Sequence, residues 1–327
     1  MRIKKILASS AIMLSIGLII SLIINISGTF PDHILTADIR ANITVLVLAI
    51  MMTISLSRIP YKNLNPIKYS RSVTRAVLLG LVVASLVPLI GYMLMKGHPG
   101  WENYSMGLVF IAAAPFAASV VPLSYTLRGD MEHAGRGTIL TYLFALLWIP
   151  FIIYATLGKT VDMTNVVITV IEIIGVPLIL SRLLTKVKIS RDAMGIMMNL
   201  FISFLVILSV SSTKFPSELA PLLLFVIISA IRTFFVGTGV ELTEKKMGIG
   251  WSQRVTDVLM VSYRNKGIAI ALCLATIPHL APYAMVAIAT SIVVEIIWVV
   301  FMDSVLFSKN RMKKETGLDR ASEIGNP

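Results

Sequence analysis

Three polar residues, Arg264, Asn265 and Lys266, stand in the middle of an apolar run from 254 to 277. If that run crosses a bilayer, each cation costs about 2.5–3.5 kcal/mol on insertion scales. Such residues require partners or a watery cavity. The chemistry they offer is anion capture: cations at mid-membrane attract a carboxylate or a sulfonate, and half-helix N-termini add partial positive charge. Arg264 serves equally as a lock that ties its helix to the neighbours. A second constellation lies in the run 104–127, where Pro115 and Pro122 sit among small residues that include Ser119 and Ser124. Each proline removes a backbone donor and disturbs the preceding turn. In lipid the freed carbonyls need partners, so this run belongs in the protein interior or beside water. Taken together, the substrate-binding set is Pro115, Ser119, Pro122, Ser124, Arg264, Asn265 and Lys266.

Carboxylates in apolar runs are the candidates for ion coupling. Asp257 precedes Arg264 by seven residues, which puts the two on one face of a regular helix and predicts a pair. Glu172 and Glu295 lie in two further apolar runs, as does Arg232. Intramembrane carboxylates carry protons; Glu295 also suits a static partnership with Arg232, Arg264 or Lys266.

The motifs of soluble chemistry are absent: there is no P-loop, no dinucleotide-binding glycine fingerprint and no HExxH pair. His33, His98, His133 and His279 all read as loop or helix-end residues, a poor arrangement for a metal cluster. The single cysteine, Cys273, makes neither an internal disulfide nor a four-ligand zinc site. No enzyme, cofactor or metal is expected.

Composition sets the environment for these residues. Of 327 residues 56% are apolar and 14% charged, and the mean hydropathy is +0.85. Soluble domains carry about 45–50% apolar and about 25% charged residues. A soluble enzyme, a disulfide scaffold and a disordered chain are excluded. The net charge of +12 would suggest nucleic acid in a soluble protein. Here the basic residues fill short gaps between apolar runs, so they report membrane topology instead.

Ten apolar runs emerge, near 6–29, 37–57, 73–95, 104–127, 137–157, 163–182, 193–212, 218–240, 254–277 and 281–307. A spanning helix needs about 20 such residues, which predicts an all-α membrane protein of ten transmembrane helices. The first run follows a basic start, Met1 to Lys5, but is too long for a signal-peptide core and reads as helix one. With the N-terminus inside, 22 of the 29 Lys and Arg residues fall on the inner side and three (Lys96, Lys159, Lys214) on the outer; Arg40, Arg232, Arg264 and Lys266 are the rest. That asymmetry predicts cytoplasmic termini in a cell-membrane protein. The disturbed runs are the fourth of the first five and the fourth of the second five. A repeat of five helices inverts the second half, the pattern of secondary transporters. The expected organisation is 1–160 and 161–307 as inverted five-helix repeats with interrupted helices four and nine, then a polar tail, 308–327.

The run from Ala114-Pro115 through Ser124-Tyr125 to Gly129-Asp130-Met131-Glu132-His133-Ala134 resembles the matching stretch of the bile acid:sodium symporters and arsenite-efflux transporters. Asn265, leading into Gly267 and a small, apolar run, is similar to their helix-nine motif. The resemblance implies the ten-helix fold and transport by alternating access. Departures from it bear on the cargo. Where the bile-acid branch binds sodium with a Glu and a Gln on helix nine and a Ser-Asn pair on helix four, this chain has Met260, Arg264, Val120 and Val121. Sodium requires oxygen ligands, so sodium coupling is not expected. Where the arsenite branch has a reactive Cys and a Glu, this chain has Phe116 and Gly267. The expected cargo is a small organic anion, with protons as the alternative coupling ion. The rival readings are arsenite or metalloid efflux and a membrane receptor that kept the fold without transport.

Overall fold

A computed structural model describes residue 7 and residues 10–59, 69–187 and 190–317. Among these the chain is helical, apart from turns and one isolated two-residue bridge. The helices are α1 (Ser10–Ser27), α2 (Ala37–Leu56), α3 (Ser70–Met95), α4 (Glu102–Ala113), α5 (Val120–Thr126), α6 (Met131–Leu157), α7 (Met163–Leu180), α8 (Arg191–Val210), α9 (Leu219–Lys246), α10 (Trp251–Ser262), α11 (Lys266–Thr276), α12 (Ala281–Leu306) and α13 (Lys309–Thr316). Seven are long and apolar enough to cross a membrane: α2, α3, α6, α7, α9, α12 and Ala193–Val210 within α8. Ile12–Ser27 and α11 are shorter apolar helices. The basic start Met1–Lys5, together with Lys62, Lys68, Lys188 and the tail from 318, including Arg320, lies outside the described residues.

Large apolar side chains cover the outside. Leu46, Leu94, Leu147, Ile179, Leu183 and Phe235 are each more than 60% exposed. So broad an apolar surface belongs against lipid. The interior is closely packed around small residues. A side-chain carbon on Gly107 of α4 would strike the Ala284 carbonyl of α12, so those helices touch backbone to backbone. At the other edge α1 lies along α8, where Asn25 donates to the Ser211 and Thr213 carbonyls at 3.0 and 2.7 Å.

Two helix boundaries differ from the apolar runs. α6 starts at Met131 rather than near 137, because Asp130 caps it by accepting the His133 amide at 2.8 Å. α9 continues to Lys246 and ends where Gly248 adopts φ +72°, a left-handed stop suited to glycine. Among the described residues four helices contain a wide π turn: α3 at Leu78–Val83, α7 at Ile171–Gly175, α9 at Ile231–Phe235 and α12 at Met302–Leu306. Such turns recur at functional sites.

The fourth and ninth runs are both interrupted. α4 stops at Ala113 because Ala114 precedes a proline and takes an extended backbone, ψ 138°. The helix resumes as α5 at Val120. The sequence predicted a disturbance reaching Pro122, and here the structure corrects it. Pro122 occupies the first turn of α5, where the amide has no helical partner in any case. The second interruption covers Tyr263, Arg264 and Asn265; Lys266 and Gly267 already belong to α11.

Candidate functional site

The two interruptions meet. Extended backbone at Pro115–Ala117 lies antiparallel to Tyr263–Asn265, with Ala117 N donating to Tyr263 O at 3.0 Å and Asn265 N to Pro115 O at 2.9 Å. Phe116 and Arg264 form the isolated bridge. Short strand-like pairing thus satisfies backbone groups that helix breaks would leave bare in an apolar interior. Asn265 reinforces the junction. Its Oδ1 caps α11 by accepting Ile268 N at 3.1 Å, and its Nδ2 donates to the Tyr142 hydroxyl at 3.0 Å. Tyr142 in turn donates to Phe116 O at 3.0 Å.

Arg264 is 1% exposed and turns its guanidinium onto the end of α4. Nε donates to Ile111 O at 3.1 Å, and Nη2 to Ala112 O at 2.6 Å and Ser85 Oγ at 2.7 Å; Nη1 reaches Gly80 O. Gly80 lies in the π turn of α3, where the helical ladder is widened. A fixed cation therefore faces the negative end of a helix dipole, a favourable placement. The guanidinium takes neutral oxygens only in these contacts.

Lys266 is placed the other way. It opens α11, where the helix dipole disfavours a cation, and its Nζ donates to Glu295 Oε1 of α12 at 2.7 Å. The same oxygen bonds Arg232, from the π turn of α9, and accepts Arg264 N at 3.3 Å. Arg232 also donates to Ser262 O at 2.6 Å, the last residue of α10. The result is three buried cations, Arg232, Arg264 and Lys266, around one buried carboxylate, Glu295.

Other residues predicted for the site are elsewhere. Ser119 stays beside the junction, close to the Tyr263 side chain. Pro122 is exposed, and buried Ser124 packs against α10 by accepting Thr256 Oγ1 at 3.2 Å. Glu172 is exposed on the outside of α7, since the π turn rotates Ile173 and Ile174 inward in its place. Asp257 does not pair with Arg264. Seven residues place two side chains on one face only if the helix is continuous, and α10 ends between them. Asp257 instead accepts His133 Nε2 at 2.7 Å and lies 3.4 Å from Arg75 Nη1.

That second cluster is one the sequence did not bring together. His133, read as a helix-end residue, is 1% exposed; its Nδ1 meets Ser72 Oγ at 2.6 Å. Arg75 Nε stands 4.0 Å from Glu244 Oε1 of α9, a residue the sequence alone did not single out. A π turn recruits Arg232 as well as Gly80, and only the ladder geometry reveals it. The visible signals for the rest were weak: His133 lies four residues after Gly129, and Glu244 follows the apolar run by four residues.

A model of the sodium bile acid symporter family matches residues 45–217, from within α2 to the loop after α8. The matched stretch includes the first interruption and ends before the second. No curated protein matches the chain.

Proposed function

The chain belongs to the sodium bile acid symporter family, and on that premise we propose that it carries a small organic anion across the membrane by alternating access without drawing on sodium. Membership, the seven long apolar helices and the lipid-facing surface make it an integral multi-pass membrane protein of a transporter family. The observation that carries the finer reading is the charge imbalance at the junction: Arg232, Arg264 and Lys266 are buried against a single carboxylate, Glu295. Uncompensated buried charge is costly, and an anion docking beside Lys266 and Arg232 lowers that cost. Arg264 supports sodium independence. The Gly80, Ile111 and Ala112 carbonyls and the Ser85 hydroxyl form an oxygen set suited to a hard cation, and the guanidinium already occupies it.

The architecture we propose is ten spanning helices in two inverted repeats, 1–160 and 161–307, with α4–α5 and α10–α11 as the crossed, broken members. The paired π turns in α3 and α9, the helices before each break, support the repeat. Both termini face the cytoplasm of a plasma-membrane protein in this reading, as the basic asymmetry supports.

Purified protein in proteoliposomes tests the proposal. Labelled taurocholate, p-toluenesulfonate and a panel of small carboxylates are offered in sodium buffer and in choline buffer at one pH. Uptake of at least one anion above protein-free vesicles, equal in the two buffers, is expected. A large loss in choline overturns sodium independence. Binding without flux for every anion that binds overturns transport and favours a receptor.

A further inference from the structure

Beyond the junction, the molecule buries a second group of ionisable side chains for which the anion site has no use. Four helices contribute: Ser72 and Arg75 from α3, His133 from α6, Glu244 from α9 and Asp257 from α10. His133 and Asp257 are 1% and 0% exposed, and Glu244 is 6% exposed. Two carboxylates face one guanidinium: Arg75 Nη1 is 3.4 Å from Asp257 Oδ2, and its Nε is 4.0 Å from Glu244 Oε1. Other charges around the group are committed elsewhere. Arg254, one turn earlier on α10, donates to Glu241 at 2.7 Å and Glu315 at 2.8 Å. Arg311 bonds the same two carboxylates, and Lys245 bonds Glu315. Asp130 is occupied with the His133 amide. Glu244 Oε2 is buried with no hydrogen-bond partner among the described residues.

His133, Asp257, Glu244 and Arg75 thus form one buried network, and it borders an open groove. A cavity of about 730 Å³ between α3 and α9 is lined by Arg71, Arg75 and Glu244 at one part and by apolar residues such as Leu78, Val83 and Val236 elsewhere. Asp257 and His133 lie behind that lining, so a proton entering the cavity meets Glu244 and Arg75 first. His133 can hold it without losing a bond. In the neutral ring Nε2–H donates to Asp257 and Nδ1 accepts the Ser72 hydroxyl. Once protonated, Nδ1–H donates to Ser72 Oγ and the hydroxyl hydrogen turns away, so both contacts survive.

The group is also tied to the anion site. Asp257 and Ser262 stand five residues apart on α10, about 7–8 Å along a rigid helix. Ser262 O accepts from Arg232, and Ser262 Oγ accepts the Trp298 indole N–H at 2.8 Å. A change of charge beside Asp257 thus acts on a helix that ends on the junction.

We propose that His133 and Asp257, with Glu244 and Arg75 at the cavity, form a proton-binding site that couples protons to the junction of the broken helices. It rests on the transporter reading for the meaning of the coupling, but the site itself is testable without any substrate. The chain has four histidines and four tryptophans, so nitrogen-15 labelling of both types in nanodiscs gives few resonances, assigned with H133N and W298F. We expect the His133 ring resonances to move with pH, and the Trp298 indole signal to shift with the same midpoint. In H133N the Trp298 shift is lost. In E244Q both midpoints are expected to move together.

A His133 ring whose resonances ignore pH overturns the proposal. So does a Trp298 signal that ignores pH, or one that titrates unchanged in H133N. Should the variants fail to fold, co-titration of the two signals in the wild type still decides. Failure of the transport reading is seen separately, as absent uptake in proteoliposomes with the titration intact.

Discussion

Arg264 Nη2 donates to the Ala112 carbonyl at 2.6 Å, so the guanidinium of one broken helix closes the end of the other. With the Ile111 and Gly80 carbonyls and the Ser85 hydroxyl, that contact makes Arg264 the fastener between α3, α4 and the α10–α11 break.

Substitution of Arg264 therefore damages the fold before it touches binding. Each buried acceptor left without a donor costs about 1–3 kcal/mol. R264Q is expected to melt several degrees below the wild type in detergent. If the guanidinium stands where a cation could, sodium restores part of the loss in R264Q and does nothing for the wild type. Melting curves in sodium and choline check both statements; an R264Q protein as stable as wild type would contradict the fastening role.

Glu295 and Lys266 should behave asymmetrically. E295Q leaves Arg232 and Lys266 without a counter-charge, a loss of about 3–5 kcal/mol for a broken buried pair. K266M removes a cation that sits badly at a helix N-terminus, so it should unfold the protein far less and weaken anion binding instead. In the double variant, K266M is expected to recover part of the E295Q loss. Additive effects in that double-mutant cycle would mean the two groups do not interact.

Topology is open to a direct check. Single cysteines introduced at Lys159 or Lys214, in a C273A background, should react with an impermeant reagent applied outside intact cells, and one at Lys186 should not. The opposite pattern would reverse the orientation and remove the support for inverted halves.

The C-terminal helix α13 is held by Glu315. Burial works to raise its carboxyl, yet hydrogen bonds from Lys245, Arg254 and Arg311 hold it down at about 2. A carboxyl lowered in the folded state contributes stability that is complete above its ordinary value, about 4.3, and is lost as pH falls from there toward 2. Proteolysis after α12 should stay slow at neutral pH and quicken only below about pH 4. E315Q is expected to release the helix at neutral pH, where the wild type resists cleavage.

The sequence by itself determined what depends on composition and on neighbours along the chain. Lipid as the outer solvent follows from too few charges, and an interruption at Pro115 follows from a residue without a backbone donor. The mid-run position of Arg264, Asn265 and Lys266 already marked the second break, because two cations in an unbroken lipid-facing helix are too costly.

Only the tertiary structure decided which charges meet. Asp257 and Arg264 share a face on a continuous helix, and the break between them sends Asp257 to His133 and Arg264 to Ala112. Glu295 gathers Arg232 and Lys266 from residues 63 and 29 positions away, a distance no local pattern spans. Glu172 and Glu295 look alike in the sequence, each a single carboxylate in an apolar run. One faces outward and the other is buried. The reason is physical: helical period fixes the relative direction of side chains within an unbroken helix, while π turns, breaks and the packing of distant helices reset that direction, and none of these is written in a residue's neighbours.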